Sequence, residues 1–518
     1  MELYSIVLLS LIIAAGVAFL LSSGKQKKAK LPPGPVALPI IGNVYWLTKS
    51  LNEIESILRE IRGRYGPAIT LRIGSRSVVF VCDRTLAHDA LVGKGATFAD
   101  RPPPTAIGRI LGAVQQNINN SAYGPVWRLL RRNLMTEILH PSRIKSYGEG
   151  RSWVLDLLIR KLRSECESAG SVRVMEQFQF ATFCLLVFMC FGQRVDEEVV
   201  REIEKAQRDM LLNLRRFNVL SFSPRIGKWV FRKRWHDLLR IRKRQADVLL
   251  PLIRARKEAQ TKEGREEREG GNSFEFSYVD SLFNLELPDE GGRKLTEEEI
   301  LGLCSEILIA GTDTTSTAAQ WIMANLVKYP QIQAKLVEEI HGIVKQRTSQ
   351  VPAADFITEE ELQKMKYLKA VVMEALRRHP PTSFLLPHVA KEEGEINGYV
   401  IPKGTNVNFT VADMAMDEKV WKDPMEFKPE RFLEGEEEVD ITGTREIKMM
   451  PFGAGRRICP GLGLAMLHLE YFVANLVMEF EWKTKEGEEV DLTGKREFTT
   501  VMKNPLNVVL RPRKIAHS

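Results

Sequence analysis

The segment PFGAGRRICPG, Pro451 to Gly461, places one cysteine, Cys459, among glycines and arginines and behind an aromatic residue, Phe452. No second cysteine is near enough in sequence for a disulfide or a zinc pair. A thiolate persists at neutral pH only with positive neighbours, a helix N-terminus or a metal. Arg456 and Arg457 precede Cys459, and an apolar, helix-like run, LGLAMLHLEYFVANLVMEF, follows it. Glycines at 453, 455, 461 and 463 let backbone approach closely and aim N–H groups inward. The segment therefore reads as a loop that seats a sulfur anion at the start of a helix.

Three chemistries use such a loop. A catalytic nucleophile wants a histidine base, and the sequence places none of the eight histidines in that role. A phosphate-binding loop wants G-x-G-x-x-G, which neither GAG nor GLG completes, and gives a cysteine nothing to do. A thiolate ligand to haem iron donates electron density that favours O–O cleavage.

Elsewhere one helix dominates. Thr296 and Glu299 form a capping box, apolar periodicity runs from Ile300 to about Val327, and Pro330 ends it. Its middle, AGTDTT, Ala310 to Thr315, is rich in poor helix formers. Threonine hydroxyls that bond back to carbonyls open a turn, so a polar break is expected there. A second helix, ended by Pro380-Pro381, carries Glu374 and Arg377 three apart. Alone that pair reads as a surface ion pair. With Arg431 of FKPERF it forms a candidate buried network, which must be fully paired to persist. GPAITLRIGSRSVVFVC, Gly66 to Cys82, predicts two strands about a Gly-Ser turn. Ile253 to Asn272 loses its apolar residues and reads as a loop or a frayed helix end.

Leu3 to Leu21 carry no charge. As a helix these nineteen residues span about 28 Å, close to the hydrocarbon thickness of a bilayer. Lysines follow and Glu2 precedes, which argues against a cleaved signal peptide and puts the following chain in the cytoplasm. Residues 1–24 are thus expected to anchor, 25–37 to form a basic, proline-rich linker containing LPPGP, and 38–518 to form the catalytic body. The net charge is +8, and Arg225 to Lys257 hold twelve Lys and Arg against two Asp. A solvated helix face is the plain reading of that block. No nucleic-acid motif accompanies it, so no nucleic acid is expected as a partner. Six irregularly spaced cysteines without a CxxC suit a reducing compartment.

FGAGRRICPG matches F-x-x-G-x-R-x-C-x-G at all five fixed positions, and in this respect the chain resembles the cytochrome P-450 superfamily. The proline-rich hinge, WRLLR, AGTDTT, EALR, PERF and the cysteine loop follow in the family's order over essentially the whole chain. The chain is most similar to plant microsomal A-type members, family eighty-nine. The resemblance implies a mainly α fold with small β-sheets on a single N-terminal transmembrane helix, and haem b with a cysteine thiolate axial ligand. It implies Cys459 as that ligand, with Phe452 packed near the sulfur. Arg457, Trp127, Arg131 and His388 are implied to reach the haem propionates. Asp313 and Thr314 match the acid–alcohol pair that relays protons to dioxygen, with Ala310 and Gly311 leaving room for it. Glu374, Arg377 and Arg431 are implied to be structural.

The implied activity is insertion of one oxygen atom into a lipophilic small molecule. Electrons come from NADPH–cytochrome P-450 reductase, with cytochrome b5 as a further donor. Arg128, Arg132, Lys448 and Arg456 are candidate contacts for an acidic partner. The implied location is the endoplasmic reticulum membrane, single-pass, with the body facing the cytosol. Pro102 to Ala122, Thr382 to Leu386 and Thr499 to Met502 resemble substrate-recognition segments; Ile107, Ile110, Phe384 and Leu385 in them suggest an apolar pocket. The rivals are a peroxide isomerase or dehydratase, which alters the distal pair, and a non-catalytic haem binder, which has no need of it.

Overall fold

The computed structural model describes residues 31–36, 51–73, 76–111, 117–217, 220, 228–266, 276–347, 356–434 and 438–513. The expected anchor and the lysines after it lie outside the described residues. The chain forms two compact units, each drawn from three separated segments. The first comprises Met1–Pro102, Thr382–Pro424 and Val439–Ile458; the second comprises Pro103–Pro381, Met425–Glu438 and Cys459–Ser518.

The first unit is built on a four-stranded sheet. The two strands expected from GPAITLRIGSRSVVFVC are Ala68–Ile73 and Arg76–Val81, paired antiparallel from Ala68↔Val81 to Ile73↔Arg76. Asn406–Phe409 joins Arg76–Val81 in parallel, and His388–Val389 closes the far edge antiparallel. Side chains alternate across the sheet. Ala68, Val79, Val81, Val407 and Phe409 share one core with Ile396, Ile401 and Met450. Ile69, Leu71, Val78 and Phe80 share another with Leu58 of the Leu51–Tyr65 helix. Both faces are covered, which is why these strands read as nearly unbroken apolar runs.

The second unit is helical, with short two- and three-stranded ribbons. Helix Glu297–Lys328 runs through it with the expected capping box: Thr296 Oγ1 accepts from Glu299 N–H, and Glu299 returns to the Thr296 backbone. The expected polar break is absent. Thr312, Thr314 and Ser316 donate their hydroxyls to the carbonyls of Leu308, Ala310 and Thr312 at 2.7, 2.7 and 2.8 Å, yet the helix stays α-helical throughout. Side-chain back-bonding satisfies these hydroxyls without opening the turn.

Gly311 permits a close helix approach. A Cβ there would lie 2.8 Å from Leu186 Cδ1, so the missing side chain admits the neighbouring helix Val174–Phe191. Ala310, in contrast, is exposed. Val174–Phe191 and Leu462–Glu479 are each apolar enough to cross a membrane by composition, but 83% and 61% of them is buried within the protein. They are core helices.

Of the stretch from Ile253 to Asn272, residues 267–272 lie outside the described residues; 253–266 takes the helical alternative, as the end of helix Arg232–Glu266. Its Lys, Arg, Glu, Gln and Ala residues are good helix formers even without apolar periodicity. Arg256 also anchors it inward, in a buried bidentate pair with Asp280 at 2.8 Å. Most of the basic block on this helix is ion-paired: Arg242 with Glu298, Lys243 with Asp247, Arg244 with Asp209 and Arg254 with Glu297.

Candidate functional site

In the second unit, Cys459 precedes helix Leu462–Glu479, whose N-cap is Gly461. Burial pushes the thiol up; the Gly461 backbone N–H and the Arg131 guanidinium pull it down. Arg131, which helps hold this sulfur's proton affinity down, comes from helix Pro125–Asn133. Trp127 and Arg131 are one turn apart and share a face. Trp127 is buried, its ring 5.3 Å from that of Tyr123. Burial lowers the proton affinity of Arg131, and Cys459 opposes that.

The Asp313 carboxylate accepts from Gln179 Nε2 at 3.1 Å and from Arg208 Nη1 at 3.3 Å. Burial raises its pKa despite both donors. Its partners were not foreseen. The only hint was Gln179 itself, a polar residue inside the apolar run FQFATFCLLVFMCF. The Thr314 hydroxyl is held by the Ala310 carbonyl.

The Glu374–Arg377–Arg431 network is present and buried. Arg377 donates to both Glu374 oxygens at 2.7 and 2.9 Å, and Arg431 Nε donates to one of them at 3.1 Å. Lys428 N–H adds a fourth bond at 2.9 Å. Glu374 and Arg377 are both 0% exposed, so this is not a surface pair.

In the first unit, Arg457 Nε donates to Ala99 O at 2.8 Å. Arg101, which lies in no motif, donates to Leu386 O and Pro387 O at 2.9 Å each. Burial and the neighbouring Arg457 push Arg101 down to about 9, against Asp100. His388 is buried in its edge strand, and its Nδ1 donates to Phe98 O at 2.7 Å. Burial and the two arginines push it down to about 3, so it is neutral. With Nδ1–H committed, contact with a carboxylate requires a second proton on Nε2, which a bound carboxylate would itself favour. Two adjacent half-buried guanidiniums suit an anion. The cluster in the first unit fits a carboxylate group, and in the second unit Cys459 fits a thiolate ligand to a metal.

Phe452 is half-buried in the turn closed by Gly453 N–H and Met450 O at 3.0 Å. Gly455 has φ +69°, and a Cβ on it would lie 1.9 Å from Leu91 O. Gly455→Ala should cost about 1–3 kcal/mol in backbone strain alone, before the collision with Leu91. The expected result is a lower urea midpoint and less haem per protein; an unchanged midpoint would contradict the close approach.

The profile of the cytochrome P450 family matches residues 32–511.

The chain belongs to the cytochrome P450 family.

Members carry haem bound through a cysteine thiolate, and haem b is the cofactor of this P450. It is 46% identical over 495 residues to cytochrome P450 89A9 of Arabidopsis thaliana, covering 94% of each chain. It is 30% identical to flavonoid 3'-monooxygenase of Petunia hybrida, over 99% of this chain and 98% of that one. A zebra fish cytochrome P450 solved with abiraterone shares the fold, with a TM-score of 0.71 at 21% identity over 89% of this P450 and 100% of that chain. The helix-rich architecture with small sheets is the P450 fold.

Proposed function

We propose that this P450 is a membrane-anchored monooxygenase. It inserts one oxygen atom from O2 into a lipophilic small molecule, with electrons from NADPH through NADPH–cytochrome P-450 reductase. The carrying observation is Asp313 and Thr314 side by side on the helix that crosses the unit holding Cys459. Relatives named flavonoid 3'-monooxygenase and isoflavone 3'-hydroxylase support oxygen insertion into a plant small molecule.

Cys459 supplies the thiolate. Within the second unit, Trp127 and Arg131 would reach a haem carboxylate; within the first, Arg457, Arg101 and His388 form a cluster of their own that suits a carboxylate. Haem, when bound, supplies the oxygen-activating chemistry, and the second oxygen atom leaves as water with two electrons and two protons. The chain's own task is to bring those protons. Asp313 holds a proton more readily than an ordinary carboxyl, and Arg208, one-third exposed, links it to the solvent side. Thr314 must release Ala310 O to turn its hydroxyl toward a ligand. An isomerase acting on peroxides needs neither group.

For an acidic reductase, Arg128, Arg132 and Arg456 are exposed, whereas Lys448 is paired with Glu446 at 3.0 Å and is the weakest candidate. Cytochrome b5 is a second donor of the same charge type. An endoplasmic reticulum location agrees with Trp229 and Val230, 79% and 53% exposed among basic residues, as a surface that meets anionic lipid. Thr314→Ala should lower product formation about 100-fold or more while NADPH and O2 are still consumed. Product per NADPH, measured with reductase present, checks this; full coupling in the variant would remove Thr314 from the relay.

A further inference from the structure

Most hydroxyls in the middle of helix Glu297–Lys328 have a partner. Those of Thr312, Thr314 and Ser316 donate to carbonyls one turn back, and Thr317 Oγ1 shares a proton with Thr499 Oγ1 at 2.9 Å. Thr315, inside the same run, is the exception. It is 8% exposed, and among the described residues no hydrogen bond reaches its hydroxyl. The same holds for Thr182 of helix Val174–Phe191, which is 5% exposed. Keeping a hydroxyl from water without replacing its hydrogen bond costs free energy. Two such groups on neighbouring helices therefore need a physical reason.

Both threonines line one cavity in the second unit, with Phe178 and Ala319 of the same two helices and Phe472 and Val473 of helix Leu462–Glu479. The helical repeat explains the meeting. Gly311 lies against Leu186. Thr315 comes one turn after Gly311, and Thr182 one turn before Leu186; Ala319 and Phe178 follow one turn further in the same senses. The helices thus run antiparallel and match rung by rung. Gly311, Thr315 and Ala319 are small, and the middle rung is left short of filling. The cavity offers 10 Å³ to the centre of a water-sized sphere, which suits one small molecule. Its other walls are hydrocarbon. A purely apolar cavity stays dry, whereas a buried water needs about two to four polar partners. Two hydroxyls, each a donor and an acceptor, meet the lower bound.

We propose that this cavity is a binding site for one water, which bridges Thr182 Oγ1 and Thr315 Oγ1. The bridge ties helix Val174–Phe191 to the long helix at the residue that follows Asp313 and Thr314. Valine has the shape of threonine and a similar helix propensity, so it removes a hydroxyl and little else. With the water in place, Thr182→Val and Thr315→Val each strip it of a partner and strand the hydroxyl opposite. Each should lower the urea midpoint of the full-length haem protein, leaving about 5-fold fewer folded molecules per unfolded one at the parent's midpoint, the worth of one ordinary hydrogen bond. The double variant, Thr182→Val with Thr315→Val, removes both partners and leaves a dry apolar cavity. Its midpoint should return to the parent's or above it, so the two changes are strongly non-additive. If no water bridges the pair, each valine only removes an unpaired hydroxyl. The midpoint would then rise in each single variant and rise by the sum in the double, and that result overturns the proposal. Crystals of the parent protein provide a test that needs no variant. Electron density for a water between the two hydroxyls is expected, and its absence at a resolution that shows other buried waters overturns the proposal. Both readouts are independent of turnover, so a failure of the monooxygenase reading would leave them standing.

Discussion

Replacing Cys459 with serine will abolish the strongly red-shifted Soret band of the dithionite-reduced, carbon monoxide-bound protein, and NADPH-dependent turnover with it. The band reports a thiolate on the iron, and an alkoxyl side chain does not replace that donor. The other cysteines are poor substitutes. Cys82, Cys184 and Cys190 are each pushed up to about 12, in every case first by burial, and Cys304 is raised well above its ordinary value by the same cause. Cys166 exchanges hydrogen bonds with the Leu510 backbone at 3.6 and 3.4 Å. Only a folded variant is informative, so circular dichroism and haem content accompany the spectrum. A red-shifted band that survives in Cys459→Ser would place the ligand elsewhere and end the mechanism proposed above.

Glu374→Ala should be the most destabilising single change outside the cysteine loop. It removes the acceptor of four hydrogen bonds and leaves Arg377, fully buried, facing Arg431 across an empty position. Breaking a buried pair from one side costs about 3–5 kcal/mol. That is a large part of the roughly 5–15 kcal/mol that holds a typical domain together. The expected result is little soluble haem protein at 37 °C and a sharply lower urea midpoint at 10 °C. Glu374→Gln keeps the shape but loses the charge, and should be milder. A midpoint unchanged in the alanine variant would mean that the network is not a structural keystone.

Local features were the readable ones. The capping box at Thr296 and Glu299, the hairpin strands of Ala68–Val81 and the stop at Pro380 each depend on neighbours within a few residues. What stayed hidden depends on residues brought from far along the chain. Gln179 and Arg208 meet Asp313 from two other helices, and nothing near Asp313 announces them. Arg101 gains meaning only beside Arg457. The packing of Gly311 against Leu186 is hidden as well, because the sequence does not reveal which way a helical glycine faces. After Ile253 the sequence left loop and helix end unresolved because periodicity reports burial, and a charged helix can persist on propensity and a single deep anchor, Arg256. The fold class and the sulfur loop were therefore legible, while the second ring of contacts around them was not.

The interleaving of the two units sets a timetable for the ribosome. Unit one is completed only when Ile458 has been added, and Cys459 is the very next residue. A nascent chain has therefore made nearly nine-tenths of its length before either unit can close, and the metal-binding atom arrives just as the first one can. Premature termination anywhere upstream leaves both units open, so truncated products should be cleared by quality control and should not accumulate as partial domains. The same ordering constrains chimeras: exchanging one unit intact between relatives takes five crossovers, after residues 102, 381, 424, 438 and 458.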